Sequence, residues 1–145
     1  MDFVSWVLSL IGIGSDRATH ISNRRTEVAR LNAEVANEAD QAVAILAYEI
    51  PRLTRRCSML PAEQRAACEI VLKSLAEQQD AAIQLKVMTN SNRENILKGG
   101  TFVDWDRALI MTQEWRITVS RIAPWIENVV KRLDGALNDA GIPPY

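Results

Sequence analysis

Along this chain hydrophobic residues recur at three- and four-residue steps, interrupted at only a few places. From about 16 to 56, Val28, Val35, Ala39, Ala42, Leu46, Ile50 and Leu53 define one apolar stripe of a long helix. A second stripe, Ala29, Ala33, Ala36, Ala44 and Ala47, lies beside it, and together they span half the circumference or more. A face that wide asks for more than two neighbours, and its alanine side permits a close backbone approach. Pro51 falls inside the pattern, so a kink or an early end near Ile50 is expected.

Ser58-Met59-Leu60-Pro61 reads as a turn, with Pro61 suited to starting the next helix, 62–98. Ala67, Val71, Leu75, Gln78, Ala82 and Leu85 form one face of it. Thr89, Asn90, Ser91 and Asn92 then turn the pattern polar, and Ser91 with Glu94 resembles a capping box, which predicts a break and restart. Gly99-Gly100 is a strong stop. The last helix, 102–139, places Phe102, Trp105, Leu109, Val119, Ile126, Val130, Leu133 and Leu137 at heptad spacing. Thr112, Arg116 and Ala123 fill the intermediate seam positions, and Pro124 is expected to bend or split this helix. No strand-like alternation occurs.

The opening residues 1–14 are far more apolar than the rest. Ser5, Ser9 and Gly12 share a narrow stripe, while Phe3, Val4, Trp6, Val7, Leu8, Leu10, Ile11 and Ile13 cover the remainder of a short helix. Such a segment must be hidden against the core, a second copy, a partner or a lipid surface. The expected fold is therefore all-α: an elongated antiparallel three- to four-helix bundle with coiled-coil-like helices and a short apolar N-terminal helix, one domain over residues 1–145. At about 1.5 Å per residue the long helices predict a rod roughly 50–60 Å in length.

Composition changes this picture little. The 145 residues carry a net charge of −1, with 48% hydrophobic and 24% charged residues, ordinary for a globular protein. Arginine outnumbers lysine 13 to 4, which points to a GC-rich bacterial genome. Arg17, Arg24, Arg25 and Arg30 cluster after the apolar segment, and Arg52, Arg55, Arg56 and Arg65 cluster further on. These are read as basic patches on solvated helix faces. Neither a recognition helix nor helix-turn-helix spacing accompanies them, so a nucleic-acid partner is not expected. The apolar opening run is shorter than a membrane span and lacks the positive n-region of a signal peptide, so a cytoplasmic location is expected. On that ground Cys57 and Cys68 are expected as two free thiols. With Cys57 ending one helix and Cys68 two turns into the next, their heights would differ by about 9 Å, too far for a bond.

Chemistry is sparse. His20 is the only histidine, no Glu-x-x-His pair exists, and Glu34 with Glu38 fall on the polar face. Neither a phosphate-binding glycine loop nor a nucleophile elbow is present. No enzymatic activity, cofactor, metal or small-molecule substrate is therefore expected. Trp105, Trp115 and Trp125 stand ten residues apart, so their rings do not form one ladder. Trp115 with Met111 is the candidate interface anchor, since it sits off the heptad seam. Arg116 falls on the seam, where an arginine must pair, snorkel or face a partner, and Glu114 and Glu127 are poorly placed to neutralise it.

Two functional readings follow. In the first the protein is a non-enzymatic interaction or assembly module, a homo-oligomer or one component of a protein complex. Val4, Trp6, Val7, Leu10 and Ile11 would glue it together with the wide apolar and alanine face. In the second it is a peripheral membrane-binding or membrane-active protein, with residues 3–13 lying in the lipid interface and Arg17, Arg24 and Arg25 meeting anionic head groups.

Overall fold

The computed structural model describes residues 17–98 and 104–144, with side-chain packing from Asn23 onward. The fold is a helical bundle, and the described residues hold three long helices and no strand: α1 (Arg17–Cys57), α2 (Ala62–Lys98) and α3 (Trp105–Asp139). Residues 1–14, expected as an apolar helix, lie outside the described residues. Contacts group the chain into two compact units. One comprises Met1–Asn37 with Leu85–Thr118, the other Glu38–Gln84 with Val119–Tyr145.

The helix ends follow from local chemistry. Asp104 caps α3, its carboxylate accepting the Arg107 N–H at 3.0 Å. At the other end Gly141 adopts φ 77°, a left-handed conformation that glycine enters without a Cβ clash. Gly141 N–H then donates to the Asn138 carbonyl and Ile142 N–H to the Leu137 carbonyl, both at 3.0 Å. This pair of bonds is the Schellman closure, and it turns the tail back alongside the bundle. Pro61 ends the α1–α2 turn, its carbonyl accepting the first N–H groups of α2, from Gln64 and Arg65.

In the first unit Val28 and Leu31 of α1, Ile96 of α2, and Trp105 and Leu109 of α3 form a buried cluster, with Ala108 against it. The directions of the helices show in their polar contacts. Arg25 reaches the Leu97 carbonyl and Asn32 the Thr89 carbonyl, so α2 descends as α1 rises. Arg24 pairs with Asp106 and Glu34 with Arg116, so α3 rises with α1 at a constant offset. The second unit keeps that offset, since Arg52 meets Asp134 and Arg56 meets Asn138, each 82 residues apart.

Four expectations are corrected. Helix α2 does not break at 88–95. Thr89 and Asn92 are buried: Thr89 falls on the seven-residue recurrence of Cys68, Leu75, Ala82 and Ile96, and Asn92 seven residues after buried Leu85. They are paired there: the Asn92 amide donates to the Asn32 side-chain oxygen at 3.0 Å, and the Thr89 hydroxyl to the Lys86 carbonyl at 2.9 Å. Pro51 and Pro124 end neither α1 nor α3; both prolines are exposed, as are Ala47 and Ser120 one turn earlier. The carbonyl that each ring leaves without its helical donor therefore lies on a solvated side. The alanine stripe is not covered: Ala29, Ala33, Ala44 and Ala47 are exposed and Ala36 half-buried, while the valine–leucine stripe is buried except for half-buried Ile50.

The fourth correction concerns the cysteines, which are bonded to each other, with Cα atoms 6.1 Å apart. The expected height difference of Cys57 and Cys68 is absent because α1 winds on past Cys57. Ser58, Met59 and Leu60 donate to the Thr54, Arg56 and Cys57 carbonyls, adding another turn. Helix α2 therefore starts above Cys57 and brings Cys68 back level with it.

The buried Asn32–Asn92 pair fixes the register of α1 against α2, because a one-turn slip would strand both amides. Asn32→Leu is expected to lower stability by about 1–3 kcal/mol by orphaning Asn92. The double substitution Asn32→Leu/Asn92→Leu should recover most of that loss, read as the thermal midpoint. A double variant as weak as the sum of the singles would show that packing, not pairing, sets the effect.

Candidate interaction site

In the second unit α1 and α3 are bridged by a polar junction. The Arg52 guanidinium donates to Asp134 Oδ1 at 2.9 Å and Oδ2 at 2.7 Å, and also to Glu49. Arg56, only 1% exposed, donates from Nη1 to Asp134 at 2.5 Å and from Nη2 to the Asn138 side chain at 2.7 Å. It also holds the returning tail, through the Ile142 carbonyl at 3.0 Å and the Pro143 carbonyl at 2.7 Å. A guanidinium can do this because its donors are fixed in a planar fork. The Arg52 hydrogen bonds, followed by those of Arg56, hold the Asp134 carboxyl below the usual carboxylate range despite partial burial.

Beside this junction lies an apolar groove of about 790 Å³ between α1 and α3. Ile45 supplies one wall and Ala123, Ile126 and Val130 the other, with Glu127 and Lys131 at the rim. Gly135 also lines it, and a Cβ built there would meet nothing within 4 Å, so the space over this glycine is open. Tyr48, one turn from Ile45, is 68% exposed. A smaller hollow of about 290 Å³ lies by the disulfide, between the start of α2 and the end of α3. Such a groove offers apolar burial to an incoming helix or ligand and presents no nucleophile paired with a base. No group of three or more potential metal-ligating side chains occurs among the described residues.

The residues expected at a site are distributed differently. Val4, Trp6, Val7, Leu10 and Ile11 lie outside the described residues, as do the side chains of Arg17 and His20. Met111 and Trp115 are half-buried. Arg116 does not occupy the seam; Ile122 is buried there instead, and Ala123 is exposed. Its guanidinium is about half exposed and pairs with Glu34 of α1 at 3.0 Å, an acid from another helix rather than from its own.

The basic patches are corrected too. Arg24 pairs with Asp106 at 3.1 Å, and Arg25 stacks 5.8 Å above the Trp105 ring. Arg30 binds Glu27 and Glu34. Arg52 and Arg56 form the junction described above, while Arg55 and Arg65 are exposed. Most of these cations hold helices together or support one helix, because carboxylates and carbonyls at the right register engage their donors.

The groove was not anticipated. Its one sequence signal is Gly135, a glycine inside α3 near its C-terminal end, which weakens the helix by about 1 kcal/mol and so calls for a reason. Comparison with protein families, with curated proteins and with solved structures gives no match to this chain. Among the described residues, no helix is long and apolar enough to cross a membrane.

Proposed function

We propose that the protein is a non-enzymatic interaction module that assembles with itself or docks into a larger complex. Its contact surfaces are the apolar segment 3–13 and the apolar and alanine face left open on the helices. One observation carries this reading: cations are spent on internal contacts while large apolar side chains stand outside. Tyr48, Ile70 and Leu97 are each more than 60% exposed, and the alanine stripe of α1 is uncovered. Exposed apolar surface of this kind is the usual substrate of association. Arg24 and Arg25, which a lipid-bound protein would turn toward head groups, are occupied by Asp106, Trp105 and the Leu97 carbonyl. The Cys57–Cys68 bond fits an oxidising compartment better than the cytoplasm.

The test is the solution mass of the full chain by light scattering, for the wild type and Trp6→Asp. A defined oligomer is expected, reduced to monomer by the substitution without loss of helicity. Burial of each such side chain contributes about 1.5–3 kcal/mol, so one charge in the middle suffices. A monomeric wild type whose binding to anionic lipid vesicles disappears in Trp6→Asp would replace this reading with the membrane one.

A further inference from the structure

We propose that the groove between α1 and α3 receives the apolar segment 3–13 of a second copy of this chain. The inference rests on the assembly reading above and names the surface on which assembly occurs. The groove is a mainly apolar hollow of about 790 Å³, with partly exposed Ile45 on its α1 wall, Ala123, Ile126 and Val130 on its α3 wall, and open space over Gly135. The segment has the matching pattern. Phe3, Trp6, Val7 and Leu10 fall at i, i+3, i+4 and i+7, the anchors by which an amphipathic helix lies in a groove. Ser5, Ser9 and Gly12 fall away from those anchors.

Reach decides whose segment it is. Ile45 stands 28 residues beyond Arg17 on the same helix, about 42 Å along its axis. A helical segment 3–13 is about 16 Å long, and residues 14–16 with their flanking bonds add at most about 14 Å. Phe3 thus falls short of the groove of its own chain unless the segment gives up the helical spacing that creates its apolar face. A second copy has no such restriction. The contact is heterologous, donor segment to acceptor groove, so each copy offers one of each, and closure sets the final size.

Two full-length variants separate donor from acceptor. Gly135→Leu fills the groove where an added side chain meets open space and removes a helix-weakening glycine, so its thermal midpoint should not fall. Trp6→Asp spoils the donor and leaves the groove open. Light scattering across a dilution series is expected to show an oligomeric wild type and two monomeric variants. Mixed in equal amounts, the variants should form a one-to-one dimer, because one supplies the donor and the other the acceptor. A Gly135→Leu variant that keeps the wild-type mass, or a mixture that stays monomeric, would overturn the groove as the receiver. If Trp6→Asp still dissociates the oligomer in that case, the assembly reading survives. A wild type that is monomeric at every concentration overturns the groove as the receiver and, with it, self-assembly, leaving only docking into a complex of other proteins.

Discussion

Arg56→Met is expected to destabilise the folded chain by about 3 kcal/mol, a fall in thermal midpoint of roughly 10 °C. The methionine keeps the apolar stem but abandons Asp134, the Asn138 side chain and the Ile142 and Pro143 carbonyls. Those acceptors then need water in a place that Arg56 leaves almost dry. Arg52→Met is the control. Arg52 is more exposed and shares Asp134 with Arg56, so its loss should cost under about 1 kcal/mol. Arg56→Lys should not rescue, since an ammonium cannot span two helices and the tail at once. Equal losses for Arg52→Met and Arg56→Met would refute the idea that burial makes Arg56 the centre of the junction.

The same junction sets an acid response. Asp134 is held below the ordinary carboxylate range, first by the hydrogen bonds from Arg52 and then by those from Arg56. A group whose folded value is depressed adds stability that is complete above its unfolded value, about 4, and disappears as pH falls through the folded one. The thermal midpoint of the wild type should therefore drop on acidification below about pH 4 more than that of Asp134→Asn, which has no such proton to take up.

Breaking the Cys57–Cys68 bond should be the other large perturbation. The cross-link closes a short loop, 11 residues in sequence separation, and a loop of that size restrains the unfolded chain by about 3 kcal/mol. Cys57→Ser/Cys68→Ser should melt roughly 10 °C lower than the wild type. Reductant should lower the wild type to nearly that value and leave the double variant unchanged. Both cysteines are buried, so reduction of the native protein should be slow until the α1–α2 turn opens. A wild type indifferent to reductant would mean that the turn, with buried Leu60, is held by packing alone.

These expectations rest on features of different legibility. The three helices, their near-correct limits, and the cap and stop residues Pro61, Asp104 and Gly141 were readable in the chain. They depend on period, backbone stereochemistry and hydrogen bonds between near neighbours. The buried stripe Val28, Val35, Ala39, Ala42, Leu46 and Leu53 was readable for the same reason. Sequence distance hid everything that joins one helix to another. Arg56 looked like a surface cation because its acceptors lie 78 to 87 residues away. Thr89 and Asn92 looked like a break because Asn32, which pairs them, lies on α1. Cys57 and Cys68 looked mismatched in height because the extra turn at Ser58–Leu60 was not anticipated. Local pattern fixes what each segment becomes and which side of it is apolar. The register between helices decides which polar groups find partners, and only that register left a groove over Gly135.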